Sequence, residues 1–341
     1  MRRARGPLVA LALATVACVG LGLSLGLVSL GPRDLLSALI DWPERATRDV
    51  RVIVLELRGP RVLLAALVGA ALALAGALTQ AITRNPLADP GLLGASQGAG
   101  LCTLGLAALF PALLASPFAM PLAATAGAAM AGLLVVLAVG GKHGRSPLFL
   151  VFAGLAVNML LGAAMSMLAI TMPAHVHRAM NAWLIGSLAS ADAWSGVAVV
   201  AALALAVPFG LAQSRALDLL ALGEDVPRSL GVHVARLRIL VLGVVVLLCG
   251  GAYAVAGGIP FLGLLAPHVA RQIVGVRHAV LLPASMAVGA CLLMTADTLG
   301  RVVTSPADTP AGILVAVLGG PWFLGLLLWT AWRGRQAIRL P

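Results

Sequence analysis

Ten apolar runs divide this chain: Leu8 to Leu30, Val62 to Ile82, Leu92 to Phe110, Phe118 to Val139, Leu148 to Thr171, Trp194 to Gln213, Ile239 to Ala256, Ile259 to Ala270, Ala279 to Leu299, and Ile313 to Trp332. A helix rising about 1.5 Å per residue needs about 20 residues to cross roughly 30 Å of hydrocarbon. The eighth run is too short to cross alone. Gly257, Gly258 and Pro260 precede or open it, so a bent pair of helices is expected there, which membranes tolerate where neighbouring protein repacks the freed backbone. Soluble domains carry roughly 25% charged residues; here 10% are charged, 61% are hydrophobic and the mean hydropathy is +1.04. The expected fold is all-α and polytopic, one membrane domain over residues 1–341 with about ten transmembrane helices. Counts of nine and eleven stay open.

Orientation follows from the cations. With a cytoplasmic N-terminus and ten crossings, fifteen of the 23 Lys and Arg fall inside, among them Arg84, Lys142, Arg145, Arg228, Arg236, Arg238, Arg271 and Arg277. Cytoplasmic loops are the basic ones, so both termini are expected in the cytoplasm. The formal charge of +11 then reflects topology, and no nucleic-acid partner is implied. The basic start MRRAR leads into an apolar run longer than the ~7 to 15 residues of a signal h-region, so an uncleaved first helix is expected. Cys18, Cys102, Cys249 and Cys291 lie within apolar runs without metal-ligand spacing.

Catalytic motifs are missing. The only Gly-Lys is Gly141-Lys142, with Val136 where a P-loop has its first glycine and His143 where it has its hydroxyl. No metal or catalytic residues are assigned, and ATP hydrolysis is not expected of this chain. No Asp or Glu falls in the middle of a run, which argues against a proton-coupled secondary transporter, since such proteins couple through intramembrane acids. That transporter remains the alternative class.

Two polar segments carry information. In Asn85 to Gly100, NPLADPGLLGASQGAG, each residue before a proline is held out of the helical region, so one helix stops there and the next begins near Gly91. In residues 214–238, SRALDLLALGEDVPRSLGVHVARLR, Asp225 is placed to cap a short helix that takes Pro227 in its first turn and ends at Gly231. A second short helix is expected from Val232 into the seventh run.

These words, in this order, resemble those of the FecCD-type family, the permease subunits of iron-siderophore, haem and cobalamin ABC importers. The resemblance covers nearly the whole chain. It rests on Leu57-Arg58-Gly59-Pro60-Arg61, the NPLADPG string, Gly186-Ser187-Leu188, Leu222-Gly223-Glu224 with Leu230-Gly231, Pro260-Phe261-Leu262-Gly263-Leu264 with Pro267-His268 and Arg271, Asp297 with Arg301, and Pro310-Ala311-Gly312. Gly59 and Pro227 depart from the family's usual residues.

The resemblance implies a type II importer architecture in which two permease chains, identical or paralogous, surround one pathway. It implies two partner ATPase subunits that bind ATP and Mg, a periplasmic binding protein that delivers cargo, and a bacterial inner membrane whose lipid surrounds the helices. The chain itself would bind no cofactor. Gly223, Glu224, Asp225, Leu230 and Gly231 would couple to the ATPase. Arg58, Arg61 and Arg301 would receive acidic residues of the binding protein. Independently of the resemblance, Asp297 and Arg301 are four apart on one helical face, so they are expected to pair. Asn158, Met159, Met165, Met167 and Met172 would lie along the pathway, as would Leu314 to Trp322. His268 is expected to be a structural hydrogen-bonding residue. His175 and His177 fall in a stretch that reads as a solvated loop, with haem-iron ligation the less favoured alternative. The implied cargo is an iron chelate, foremost a ferric siderophore, with haem and cobalamin as alternatives.

Overall fold

The computed structural model describes residues 5–40, 48–116, 118–139, 147–173, 183–189, 196–303 and 308–337. His175 and His177 lie outside the described residues. The main helices are α1 (Arg5–Ser24), α2 (Pro32–Ile40), α3 (Arg48–Arg51), α4 (Gly59–Thr83), α5 (Ala95–Leu109), α6 (Ala119–Val139), α7 (Pro147–Ile170), α8 (Gly196–Ala212), α9 (Ser214–Leu220), α10 (Asp225–Ser229), α11 (Val234–Ala256), α12 (Leu262–Val274), α13 (His278–Val303) and α14 (Ala311–Ala337). No strand occurs among the described residues.

Helix α4 is the spine. Its sequence, rich in Ala and Leu on every side, has no polar face to offer water, and helices of that kind are buried; α8, α11, α12 and α13 pack around it. Close approach depends on glycine. A Cβ at Gly69 would run into the backbone of Gly289, and one at Gly76 into the carbonyl of Gly263, so α4 touches α13 and α12 almost backbone to backbone. Gly98 and Gly127 do the same for α5 and α6. Small residues at such contacts are the usual means of helix association where water supplies no hydrophobic drive.

Each of the ten apolar runs holds a helix, yet among the described residues six are long and apolar enough to cross a membrane alone: α1, the continuous stretch Asp49–Thr83 ending in α4, α6, α7, α11 and α13. Helices α8 and α9 meet at 60°, and α8, with Pro208 inside it, is the apolar member of that bent pair. The break after Ala256 is as expected, but α12 begins at Leu262 and reaches Val274, beyond the predicted Ile259 to Ala270. Phe261, at φ 63°, turns the chain there. The freed backbone finds partners in residues 183–188. Ser187 N–H donates to Ala256 O (2.8 Å), Gly258 N–H to Trp183 O (3.1 Å), and Gly312 N–H at the start of α14 to Gly186 O (3.0 Å). This short stretch therefore ties together the ends of α11 and α14, as membrane-buried irregular backbone must be tied.

Candidate functional site

Two charged clusters sit at opposite ends of α4, whose 25 residues at about 1.5 Å each separate them by roughly 35 Å. The first surrounds Glu224. Its carboxylate pairs with Arg238 at the start of α11 (2.7 Å), with Arg84 just after α4 (3.8 Å) and with Arg228 on α10. One acid thereby fastens the segment carrying α9 and α10 onto the ends of two long helices. Asp218 on α9 adds a second fastening, accepting the backbone N–H (2.9 Å) and facing ring Nδ1 (2.6 Å) of His278 at the start of α13.

The local chain path follows from two glycines. Gly223 (φ 117°) and Gly231 (φ 81°) hold left-handed conformations before and after α10, which a Cβ disfavours. Asp225 does not cap α10 as expected; Glu224 occupies the cap position without a capping bond, and Asp225 contributes its charge within the first turn. No second short helix separates Val232 from the seventh run, since α11 itself starts at Val234. Two large apolar side chains face outward beside the exposed Asp225, Arg228 and Ser229: Leu222 is 70% exposed and Leu230 64% exposed. Glu224 thus points inward to arginines while leucines on either side of it point out. Sequence reasoning singled out the acid but not Arg84 and Arg238, whose only signal was their position at the ends of apolar runs.

At the opposite end Asp297 is 1% exposed and accepts from Arg61 Nε at 2.9 and 3.0 Å, with Arg301 Nε at 3.3 Å. Arg61 also bonds the exposed Asp308 (2.7 Å). Arg58 donates to the carbonyls of Leu23 (2.8 Å), Ser24 (2.9 Å) and Val28, and Arg301 to those of Gly22 (2.9 Å) and Leu25 (3.4 Å). The last carbonyls of a helix have no partner within it; here the guanidinium groups of Arg58 and Arg301 supply one for α1. All three arginines expected to dock a partner are engaged within the chain, Arg58 and Arg301 buried and Arg61 nearly so. The expected pairing of Asp297 with Arg301 is present, with Arg61 as the closer partner.

The residues expected along a pathway separate. Met165 is buried against Leu104 and Ala169 with Met172 at its edge, so these two pack between helices. Met159 and Met167 are about two-thirds exposed (67% and 68%), and Asn158 is half-buried. Gly94, which closes the turn after NPLADPG, lies against the backbone of Asn158. In that turn Asp89 accepts from its own loop at Gly91 N–H (2.7 Å) and from Leu264 N–H in the first turn of α12. Phe261, at the cap position of α12, offers no side-chain bond, so Asp89 caps a helix far away in sequence. Burial pushes this loop carboxyl up to about 6, against the two N–H donors that favour its charge.

His268 does not behave as the hydrogen-bonded structural residue expected. Its Nδ1 is buried without a partner among the described residues, and its ring meets Trp322 edge-on at 4.9 Å. Among the described residues no group of three or more His, Cys, Asp or Glu is arranged to hold a metal.

Long apolar helices packed around α4, with a charged cluster clamping a polar insertion at one end, define a multi-pass membrane protein. Residues 13–329 match the model of the FecCD transport family, and the chain belongs to that family. It is 42% identical over 313 residues to the hemin transport system permease protein HmuU of Yersinia pestis, covering 90% of this chain and 92% of the relative. It is 39% identical over 317 residues to the Fe(3+) dicitrate transport system permease protein FecD of Escherichia coli K12, covering 93% and 96%. The iron(3+)-hydroxamate import system permease protein FhuG of Bacillus subtilis is 34% identical over 314 residues, covering 90% and 92%. A solved inward-facing conformation of a putative metal-chelate type ABC transporter superposes with a TM-score of 0.82 at 30% identity, covering 95% of this chain and 98% of that one.

Proposed function

We propose that this chain is the membrane-spanning subunit of an ABC importer that carries an iron chelate, foremost a ferric siderophore, from periplasm to cytoplasm across a bacterial inner membrane. Relatives at 34 to 42% identity bear names for haem, ferric citrate and hydroxamate transport, which supports the chelate class. The observation that carries the reading is the clamped insertion. Glu224 locks α10 to α4 and α11, so a force applied to the outward leucines 222 and 230 would pass into the spine of the bundle. Two ATPase subunits holding ATP and Mg would supply that force, against the surface formed by Gly223, Glu224, Asp225, Leu230 and Gly231. The chain performs no covalent chemistry and holds no cofactor of its own. A second permease copy or a paralogue completes the pathway, with the exposed Met159 and Met167 of α7 facing it.

The insertion end is assigned to the cytoplasm, with both termini, because Arg84, Arg228, Arg236 and Arg238 gather there. The periplasmic binding protein docks at the opposite end. Arg61 is the contact, exchanging the exposed Asp308 for an acid of the partner, while Arg58 and Arg301 hold the rim from beneath. Proton coupling is less favoured, because the buried acid Asp297 is committed to Arg61 and Arg301.

Purification with the ATPase tests the reading. Two permease chains and two ATPase chains per complex are expected, with ATP hydrolysis stimulated by the loaded binding protein. A complex with one permease chain that is active in transport would overturn it.

A further inference from the structure

Near the insertion end, α12 carries two side chains that the fold leaves incompletely used. Arg271 donates from Nη2 to Gln80 Oε1 (2.9 Å), and Gln80, itself buried, turns its amide toward Leu264 O (3.4 Å). Arg271 Nη1 is buried without a partner among the described residues, and so is Nδ1 of His268, three residues earlier on the same helix face. No described carboxylate pairs with Arg271, and Asp218, the acid of the neighbouring insertion, is taken by His278. Trp322 of α14 stands against His268. A half-used guanidinium in low dielectric is unfavourable until an anion meets it, and its planar donors match a carboxylate or phosphate.

We propose that His268 and Arg271, braced by Gln80 and flanked by Trp322, form a subsite that takes a carboxylate of the iron chelate as it leaves toward the insertion end. The proposal rests on the transport reading above. Gln80 fixes one edge of the guanidinium, so a single Nη1 donor and one imidazole nitrogen remain for the cargo. Two donors hold an anion briefly and release it, as a pathway requires. Neutral chelates gain nothing from the subsite, so it favours carboxylate-bearing ones.

The test uses the ATPase–permease complex in phosphatidylcholine nanodiscs, with radiolabelled ferric citrate and a neutral ferric tris-hydroxamate as probes. Arg271→Gln is expected to weaken ferric citrate binding about tenfold or more, as removal of one partner of a charge pair does. His268→Gln should weaken it less, and Arg271→Lys should recover part of the loss. Hydroxamate binding should change much less in every variant. Equal losses for both probes would mark a structural role and overturn the proposal, as would unchanged citrate binding or a parent that binds no citrate. A lipid phosphate offers the same chemistry, so the parent is also measured with phosphatidylglycerol added; abolished citrate binding there assigns the site to lipid and ends the proposal. ATP-driven uptake of either chelate by the parent tests the transport reading separately, so the subsite can fail while that reading stands.

Discussion

Removing Asp297 should loosen the end of the bundle opposite the insertion about as much as truncating a large buried apolar side chain there, which costs about 2 to 5 kcal/mol. The carboxylate is 1% exposed and shared by Arg61 and Arg301. Asp297→Ala leaves both guanidinium groups short of their counter-charge, and breaking a buried pair in this way costs about 3 to 5 kcal/mol. Two contacts moderate the loss. Arg61 keeps Asp308, an exposed pair worth about 0 to 1 kcal/mol, and Arg301 keeps its bonds to Gly22 and Leu25. The expected destabilisation is therefore about 3 kcal/mol. Reversible unfolding in mixed micelles measures it, and hydrogen exchange should show faster opening of the end of α1, whose carbonyls Arg301 holds. Asp297→Leu combined with Arg61→Met should recover most of the loss, because charges are then removed together. A loss below about 1 kcal/mol for Asp297→Ala, or a double variant worse than the single one, would refute the claim that this pair is buried and mutually dependent.

Glu224→Ala should speed hydrogen exchange across residues 214–233 and lower binding-protein-stimulated ATP hydrolysis, with unchanged exchange and coupling contradicting the clamp. Gly76→Val should destabilise the fold by about 1 to 3 kcal/mol through overpacking against Gly263, whereas Gly243→Ala, with open space at its Cβ, should be neutral or slightly stabilising; thermal unfolding of the two variants separates these outcomes. Asp89 supplies a pH dependence. Its folded value of about 6 lies above the free value, so the folded state binds a proton that the unfolded chain releases between about pH 4 and 6. Stability attributable to this group should fall as pH rises through that window and level off above it, and Asp89→Asn should flatten the profile; an identical pH profile in the variant would contradict the assignment.

The placement of the long helices was legible because hydrocarbon sets a length that few other environments impose, and all ten apolar runs contain helices. Their reach was less legible. Whether a run crosses or turns back depends on backbone partners far away in sequence, such as Ser187 for Ala256, which hydropathy does not register. Helix α2 and the π-helical stretch Val52–Arg58 that runs into α4 were missed because the sequence there mixes charge with apolar positions too short to span. At the site, Glu224, Arg58, Arg61 and Arg301 stood out through the family resemblance, and the spacing of Asp297 and Arg301 showed that pair, but the partners of Glu224, Arg58 and Arg61 did not show. An arginine that caps a helix end and one that awaits an acidic protein read alike in sequence, and only burial and distance separate them. The methionines of α7 illustrate the same limit: Met165 and Met167 are two residues apart, one in the core and one outside it, because 3.6 residues per turn put them on different faces.

The central claim is that ATP hydrolysis by a partner drives an iron chelate through this chain. It is tested most directly in proteoliposomes holding the permease, its ATPase and ATP, with the loaded binding protein outside and an ionophore collapsing any proton gradient. The account predicts uptake of radiolabelled iron chelate that stops when ATP is replaced by a non-hydrolysable analogue. Uptake that follows an imposed proton gradient without the ATPase would contradict it.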